Sequence, residues 1–530
     1  MTFKVLCTDG LAQKGAEILR AAPGLEVDVR DKVAEAELRA LIRGVHALVV
    51  RSATKVTAAL LDGAPELRVV GRAGIGVDNV DVPAASRRGV VVMNTPRGNA
   101  VTTAEHAIAL MMSLARRIPQ ATASVKAGRW ERKKFEGTEL FAKTLAVLGL
   151  GNIGRLVAER ALGLRMKVVG YDPFLSPDAA ARLGVELVTL DDAITRADFI
   201  TVHTPLTPET RGLVGRDALA RCKPGVFVIN AARGGIVDED ALCEALKSGR
   251  VAGAALDVYA SEPPTGSPLL ALDNVVCTPH LGASTEEAQE KVSVEIAEQI
   301  VAFLTRGEAR NAVNLPPLAP ELRERLSPWL DLATRLGALA GQLQVGAIDE
   351  VIVEATGDAS DGGKAVTAAA LDGMLRAFVD VPVNWVNAGL VAAERGIRVT
   401  EVSRAQGDDL KSIVALRLRG RGWERYVAGS ILSLGHEPGP RIVQIDEFHL
   451  EAVPEGWLLV LRNEDKPGVI GAVGTLLGRH GINVSRMQVG LQRARREAME
   501  LWNVDSEVPE PILAELRALP AIKQVTQVEL

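Results

Sequence analysis

Cysteine is scarce: Cys7, Cys222, Cys243 and Cys277 stand far apart, with no CxxC and no Cys/His cluster. Neither a disulfide framework nor a structural zinc site is expected, and no other metal site is proposed. Long apolar runs are missing too. No stretch reaches the roughly 18 residues that a membrane-spanning helix needs, so no membrane partner is expected. Positive charge is not in excess, since 61 Lys and Arg face 66 Asp and Glu for a net charge of −5. That balance shows no basic footprint for nucleic acid, and no nucleic-acid partner is expected. The opening Met1-Thr2-Phe3-Lys4-Val5-Leu6-Cys7 enters a strand-like run without a basic leader, an apolar core or a cleavage site. A secretory signal is therefore not expected, and a reducing cytoplasm is the expected compartment.

What is present reads as a folded α/β chain. Apolar residues make up 47% and charged residues 24%, too apolar for disorder. At about 150 residues per domain, the length suits three to four domains. Fifty glycines suit many tight strand-to-helix turns. Residues 1 to about 95 alternate short apolar runs (45–50, 69–70, 90–93) with amphipathic stretches, the rhythm of an open parallel sheet. Thr102-x-x-Glu105 reads as a capping box before an apolar helix over 107–115. From Thr144 the rhythm restarts with six strands, at 145–148, 168–171, 199–202, 226–229, 254–258 and 275–277, as in a doubly wound dinucleotide-binding fold. Ser284-x-x-Glu287 reads as the cap of a long helix that stops at Gly307. Asn314-Leu315-Pro316-Pro317-Leu318-Ala319-Pro320, with three prolines in five residues, reads as an extended linker. Residues 321–452 are mixed helix and strand. A break at Val453-Pro454-Glu455-Gly456 precedes a βαββαβ pattern over 455–530, that of a ferredoxin-like module.

One glycine motif has the right context. Gly149-Leu150-Gly151-Asn152-Ile153-Gly154 follows an apolar strand and opens a helix. The first Gly permits the turn, the second lets a pyrophosphate approach the backbone, and the third lets helix and strand pack closely. The free amides at the helix start favour phosphate. Asp172 ends the next strand, where a carboxylate accepts hydrogen bonds from the ribose hydroxyls and repels a 2′-phosphate. The expected cofactor is NAD rather than NADP.

Three polar residues stand just beyond predicted strand ends, where open α/β sheets bind ligands: Arg233, Glu262 and His280. Each alone has a dull reading as a loop charge, a turn stiffener or a helix cap. Together they supply what hydride chemistry on a 2-hydroxy acid requires. A guanidinium holds a carboxylate bidentately. An imidazole takes the hydroxyl proton. A carboxylate orients the ring and stabilises imidazolium.

The stretches Arg72-Ala73-Gly74-Ile75-Gly76-Val77-Asp78-Asn79-Val80-Asp81, Trp130-Glu131-Arg132-Lys133-Lys134-Phe135, Arg233-Gly234-Gly235-Ile236-Val237-Asp238-Glu239 and His280-Leu281-Gly282-Ala283-Ser284-Thr285 resemble the D-isomer-specific 2-hydroxyacid dehydrogenases. The similarity covers essentially the whole chain and is closer to the long-form branch that acts on D-3-phosphoglycerate. It implies catalytic roles for Arg233, Glu262 and His280. It implies NAD contacts at Asn152, Ile153, Asp172, Thr204, Ala231, Ala232, Asp257, His280, Gly282 and Ala283, beside Gly149, Gly151, Gly154 and Arg233. Ile75 departs from the Thr common in this family, so any cofactor contact there uses backbone. The implied architecture is two doubly wound Rossmann-like domains. A discontinuous substrate domain (1–95 and 283–315) flanks an NAD domain (96–282), followed by an intervening allosteric substrate-binding-like domain (321–452) and an ACT domain (455–530).

The implied reaction is NAD-dependent oxidation of 3-phosphoglycerate to 3-phosphohydroxypyruvate, the first step toward L-serine, in a homotetramer. A substrate with carboxylate and phosphate needs several cations. Arg51, Ser52, Arg72, Gly74, Arg132, Arg233 and His280 are the substrate candidates. The basic stretch Arg129, Arg132, Lys133, Lys134 is implied to reach a neighbouring subunit's site, and otherwise reads as a solvated loop. In the ACT segment, Asp465 and Asn483 are the implied positions for an L-serine effector at a subunit interface. Their dull reading is a loop Asp and a turn Asn in a dimerisation module. Two alternatives stand beside this function: a reductase of another 2-hydroxy acid such as glyoxylate or hydroxypyruvate, and a non-enzymatic NAD-sensing scaffold.

Overall fold

The computed structural model describes residues 2–316, 318, 320–405, 411–433 and 438–530. Four sheets follow one another along the chain. The first has five parallel strands in the order Leu25–Val29, Phe3–Cys7, Ala47–Val50, Val69–Arg72, Val91–Asn94. Alternation along each buried strand sends Leu6, Leu48, Val70 and Val92 to one face and Val5, Val49, Val69 and Val91 to the other. The second face is covered by a helix from far downstream, Glu286–Arg306, through Val292, Ile296, Ile300 and Leu304. A segment after residue 282 thus completes the sheet built before residue 95.

Inserted between them is a seven-stranded parallel sheet, in the order Val275–Cys277, Val251–Leu256, Val226–Asn230, Phe199–Val202, Thr144–Leu148, Lys167–Tyr171, Glu186–Leu187. The order reverses between Thr144–Leu148 and Phe199–Val202, which opens a ligand crevice at their C-terminal ends. The seventh strand, Glu186–Leu187, was not expected, because two residues are too short to show a period. The strand expected over 254–258 runs instead over Val251–Leu256, so Asp257 and Val258 leave the sheet in a turn.

Two helix starts differ from the capping-box readings. The helix Ala100–Ala115 begins at Asn99, so Thr102 lies inside its first turn. Thr103 donates instead to the carbonyls of Asn99 and Gly282, both at 2.9 Å. For Glu286–Arg306 the cap is Thr285, whose hydroxyl accepts the Ala288 amide at 3.2 Å, one residue later than Ser284. Gly307, at φ +71°, closes that helix in the left-handed conformation expected of it.

The linker is not free along its whole length. The Asn314 side chain accepts the Val92 amide at 2.9 Å and donates to the Val90 carbonyl at 2.9 Å, and Leu315 joins the first core. Pro317 and Ala319 lie outside the described residues. Pro320 opens the helix Pro320–Gln342, where its missing N–H costs nothing.

The third sheet has six strands: Arg398–Arg404, Glu350–Thr356, Val414–Gly420, Trp423–Leu432, Gly439–Ile445, Phe448–Ala452. The fourth is a βαββαβ module with strand order Val484–Gln492, Glu497–Val504, Trp457–Glu464, Ile522–Glu529. One face of this last sheet (Leu459, Leu461, Trp502) meets its own helices. The other face (Leu458, Val460, Met499, Leu501) shares a core with Phe448 and Ala452 of the third sheet, so the two form one packed body. Among the described residues no helix is long and apolar enough to cross a membrane.

The helices Pro320–Gln342 and Gly363–Arg376 touch backbone to backbone. A Cβ on Gly337 would overlap the Ala370 carbonyl, and one on Gly373 the Thr334 carbonyl. Backbone cannot yield as a side chain can, so Gly337→Val is expected to destabilise this body by about 1–3 kcal/mol or more. Calorimetry should show its unfolding transition at lower temperature. An unchanged thermogram would contradict this packing.

Candidate active site

The dinucleotide turn is built as its glycines require. Gly149 sits at φ +94°, where a Cβ would also lie 2.7 Å from the His203 carbonyl oxygen. Gly154 opens the helix Gly154–Gly163, and a Cβ there would overlap the Gly149 carbonyl. Gly151 faces open space, with nothing within 4 Å of a Cβ. Asp172 accepts the Leu150 amide and the Phe174 amide, each at 2.9 Å, which fixes the carboxylate and leaves lone pairs for ribose hydroxyls. Nearby, the Thr204 hydroxyl oxygen is buried without a partner. An open glycine lip, a fixed carboxylate and an orphaned hydroxyl form a cradle that fits NAD. Asn152 is tied down within the chain, its side chain donating to the Pro96 carbonyl at 3.1 Å.

Arg233, Glu262 and His280 line one cleft of about 750 Å³ between the first two sheets, together with Ser52, Arg72, Ile153, Ala231, Ala232, Asp257, Gly282 and Ala283. His280 Nδ1 lies 2.8 Å from Glu262 Oε2. The second Glu262 oxygen accepts the Tyr259 amide at 3.1 Å, so the carboxylate is pinned from behind. A carboxylate on Nδ1 fixes the N–H there and leaves Nε2 as the basic nitrogen. Arg233 donates from Nε to Asp78 Oδ2 at 2.8 Å and from Nη1 to the Ala232 carbonyl at 2.7 Å.

The His280 loop hangs from Asp257. This carboxylate is fully buried yet receives the Thr278 hydroxyl at 2.6 Å, the Leu281 amide at 2.7 Å and the Gly282 amide at 2.8 Å. His106 Nε2 stands 3.1 Å away, and the Asp257 carbonyl accepts the His280 amide at 2.9 Å. Burial works against its charge, but the hydrogen bonds from His106, Thr278 and Leu281 outweigh it and hold its pKa below the usual carboxylate range. Asp257 therefore lines the cleft with Oδ1 given to the chain's own donors, while Oδ2 accepts the Gly282 amide.

On the opposite wall, Asp9 accepts the Arg51 amide at 3.0 Å, the Thr54 amide at 2.9 Å and the Thr54 hydroxyl at 2.7 Å, which shapes the loop that carries Ser52. Arg51 turns toward the Asp9 carbonyl and does not line the cleft, whereas Lys55 does. Arg72 is pushed down to about 10 by burial and by the neighbouring Arg233, and its Nε has no partner. It stays charged at neutral pH. Gly74, at φ +147°, leaves the space that the Arg72 guanidinium occupies.

Of the expected substrate residues, Arg51, Gly74 and Arg132 do not line the cleft, and the expected effector residues Asp465 and Asn483 lie at the fourth sheet. Arg132 is exposed on the turn Arg132–Phe135 and lines no part of it. Asp465 and Asn483 are exposed at opposite ends of the fourth sheet. Asp465 bonds to Arg496 beside the pair Glu464 and Glu497, while Asn483 bonds to Asp505 beside the pair Val484 and Val504. The length of the strand Trp457–Glu464, roughly 25 Å, separates them, so within one chain they do not converge. Three residues were missed. Lys55 was readable as a further cation in the Arg51 loop, and His106 as a lone imidazole on an apolar helix. Asp78 had no signal beyond its place in the glycine loop.

Because the third glycine presses on the first, Gly154→Val is expected to abolish NAD binding, read by fluorescence titration, and to lower the melting temperature, while far-UV circular dichroism still shows a folded α/β protein. Retained NAD affinity would place the cofactor elsewhere.

A family model described as "D-isomer specific 2-hydroxyacid dehydrogenase, NAD binding domain" matches residues 108–282. One for "D-3-phosphoglycerate dehydrogenase intervening domain" matches 325–446, and one for "ACT domain" matches 457–521. The chain is 46% identical over 533 residues to D-3-phosphoglycerate dehydrogenase of Archaeoglobus fulgidus, covering 100% of both. It is 44% identical over 529 residues to the enzyme of the same name from Synechocystis, covering 99% of this chain and 95% of that one. Among solved structures, D-lactate dehydrogenase from Aquifex aeolicus complexed with NAD and lactic acid superposes with a TM-score of 0.52 at 28% identity, over 59% of this chain and 100% of that one. With a dinucleotide cradle, an imidazole–carboxylate pair and a guanidinium in one cleft, and full-length identity to these relatives, the chain belongs to the D-3-phosphoglycerate dehydrogenase family.

Proposed function

We propose that this protein oxidises D-3-phosphoglycerate to 3-phosphohydroxypyruvate with NAD. The observation that carries the reading is the His280–Glu262 pair, 2.8 Å apart, in the same cleft as Arg233. NAD, when bound at the Gly149–Gly154 turn beside Asp172, supplies the hydride acceptor.

The free Nη edge of Arg233 holds the substrate carboxylate and polarises the adjacent carbon–oxygen bond. His280 Nε2 takes the proton of the C2 hydroxyl as hydride leaves the same carbon. Glu262 keeps the ring in the productive tautomer and stabilises the imidazolium that forms. Arg72, Lys55 and Ser52 line the wall across from the NAD turn and are assigned to the phosphate. Two cations and a hydroxyl suit a group carrying nearly two negative charges.

The chain is read as a substrate domain (1–95 and 283–315), an NAD domain (96–282), an intervening domain (321–452) and an ACT domain (455–530). Separation of Asp465 from Asn483 means that an L-serine site using both needs two copies, which agrees with a homotetramer. The four cysteines are free thiols, which suits a reducing cytoplasm.

Purified protein is expected to form NADH from NAD and 3-phosphoglycerate, and little from glycerate or D-lactate. His280→Ala should lower kcat by about 10²–10⁴-fold and leave NAD affinity intact. Turnover of glycerate without turnover of the phosphorylated acid would select another 2-hydroxy acid. Bound NAD with no turnover of any acid would select a scaffold.

A further inference from the structure

The Arg233 guanidinium is not free in the cleft. Arg233 follows the strand Val226–Asn230 of the seven-stranded sheet, while Asp78 belongs to the loop after Val69–Arg72 of the five-stranded sheet. Their contact, Nε to Oδ2 at 2.8 Å, joins residues 155 positions apart and bridges the two walls of the cleft. Arginine has five N–H donors. Asp78 takes the one on Nε, and the Ala232 carbonyl takes one on Nη1. Three donors remain, and two of them form the Nη1/Nη2 edge, one planar fork of the kind that accepts a carboxylate bidentately. Gly76 makes room for this orientation, since a Cβ there would overlap Nη2 of Arg233.

The pair has little to do for stability. Asp78 is 66% exposed, and an ion pair so open to solvent adds little to folding. Its electrostatic surroundings are more telling. Arg72 and Arg233 repel one another across the site, and Asp78, with Asp9 behind it, opposes this repulsion on Arg72. Asp78 thus stands near two guanidinium groups and holds one of them by its Nε.

We infer that Asp78 is a positioning residue for the substrate: by holding the Nε–H of Arg233 from the opposite wall, it presents the Nη1/Nη2 edge to the substrate carboxylate. The inference rests on the assignment of Arg233 to that carboxylate, and the test separates the two. Initial rates at saturating NAD are compared for the native protein, Asp78→Ala, Asp78→Asn, Arg233→Ala and the double variant Asp78→Ala/Arg233→Ala. Asp78→Ala is expected to raise KM for 3-phosphoglycerate about tenfold, with a smaller change in kcat and no change in NAD affinity or melting temperature. Asp78→Asn, which keeps an acceptor for Nε, should recover most of the loss. In the Arg233→Ala background the Asp78 change should add nothing, the signature of a residue acting through another. If Arg233→Ala raises KM but Asp78→Ala does not, the positioning role is wrong and the carboxylate assignment stands. If Arg233→Ala leaves KM unchanged, the carboxylate assignment itself fails. Parallel loss of NAD affinity or melting temperature in Asp78→Ala would mark a merely structural residue and overturn the inference.

Discussion

The active cleft depends on one buried charge. Asp257 leaves the strand Val251–Leu256 with its carboxylate fully enclosed, a position that is costly for an unpaired ion. The cost is met by donors from two directions: the 278–282 loop curls its hydroxyl and two amides onto the carboxylate, and His106 reaches in from a helix 151 positions upstream. Removing the charge would leave those donors without their acceptor. The same residue's carbonyl receives the His280 amide, so one residue both anchors the loop and places the His280 imidazole.

From that anchor the remaining chemistry is a matter of two sheets facing each other. The seven-stranded sheet delivers the glycine turn, Arg233, Glu262 and His280 at its C-terminal edge, as the topology of such sheets demands. The five-stranded sheet delivers cations: Arg72 at the end of the strand Val69–Arg72, and Lys55 beside the loop that Asp9 holds in shape. Neither sheet alone holds both a proton acceptor and the full set of positive groups that a carboxylate and a phosphate together require. Only the helix Glu286–Arg306, folding back onto the first sheet, returns the chain from one to the other with the cleft between them.

How much of this was legible in the sequence depended on how local each feature is. The Gly149–Gly154 turn was readable because its geometry is fixed within six residues by φ values and close approaches that only glycine allows. Arg233, Glu262 and His280 were readable because each stands at or near the end of an apolar strand. The Arg233–Asp78 and His106–Asp257 contacts were not, since no periodicity links residues about 150 positions apart. Helix starts slipped for a related reason. Thr102 looks like a cap, but tertiary packing draws the helix back to Asn99 and spends Thr103 on the Gly282 carbonyl. Asp465 and Asn483 were read as effector positions at a subunit interface, and the strand register puts them at opposite ends of a sheet within one chain.

The most direct measurement is a crystal structure of the protein with NAD and 3-phosphoglycerate. The substrate carboxylate should lie on the Nη1/Nη2 edge of Arg233, and the C2 hydroxyl within hydrogen-bond distance of His280 Nε2. A substrate seated with its phosphate on Arg233, or with its hydroxyl beyond reach of that imidazole, would contradict the proposed chemistry.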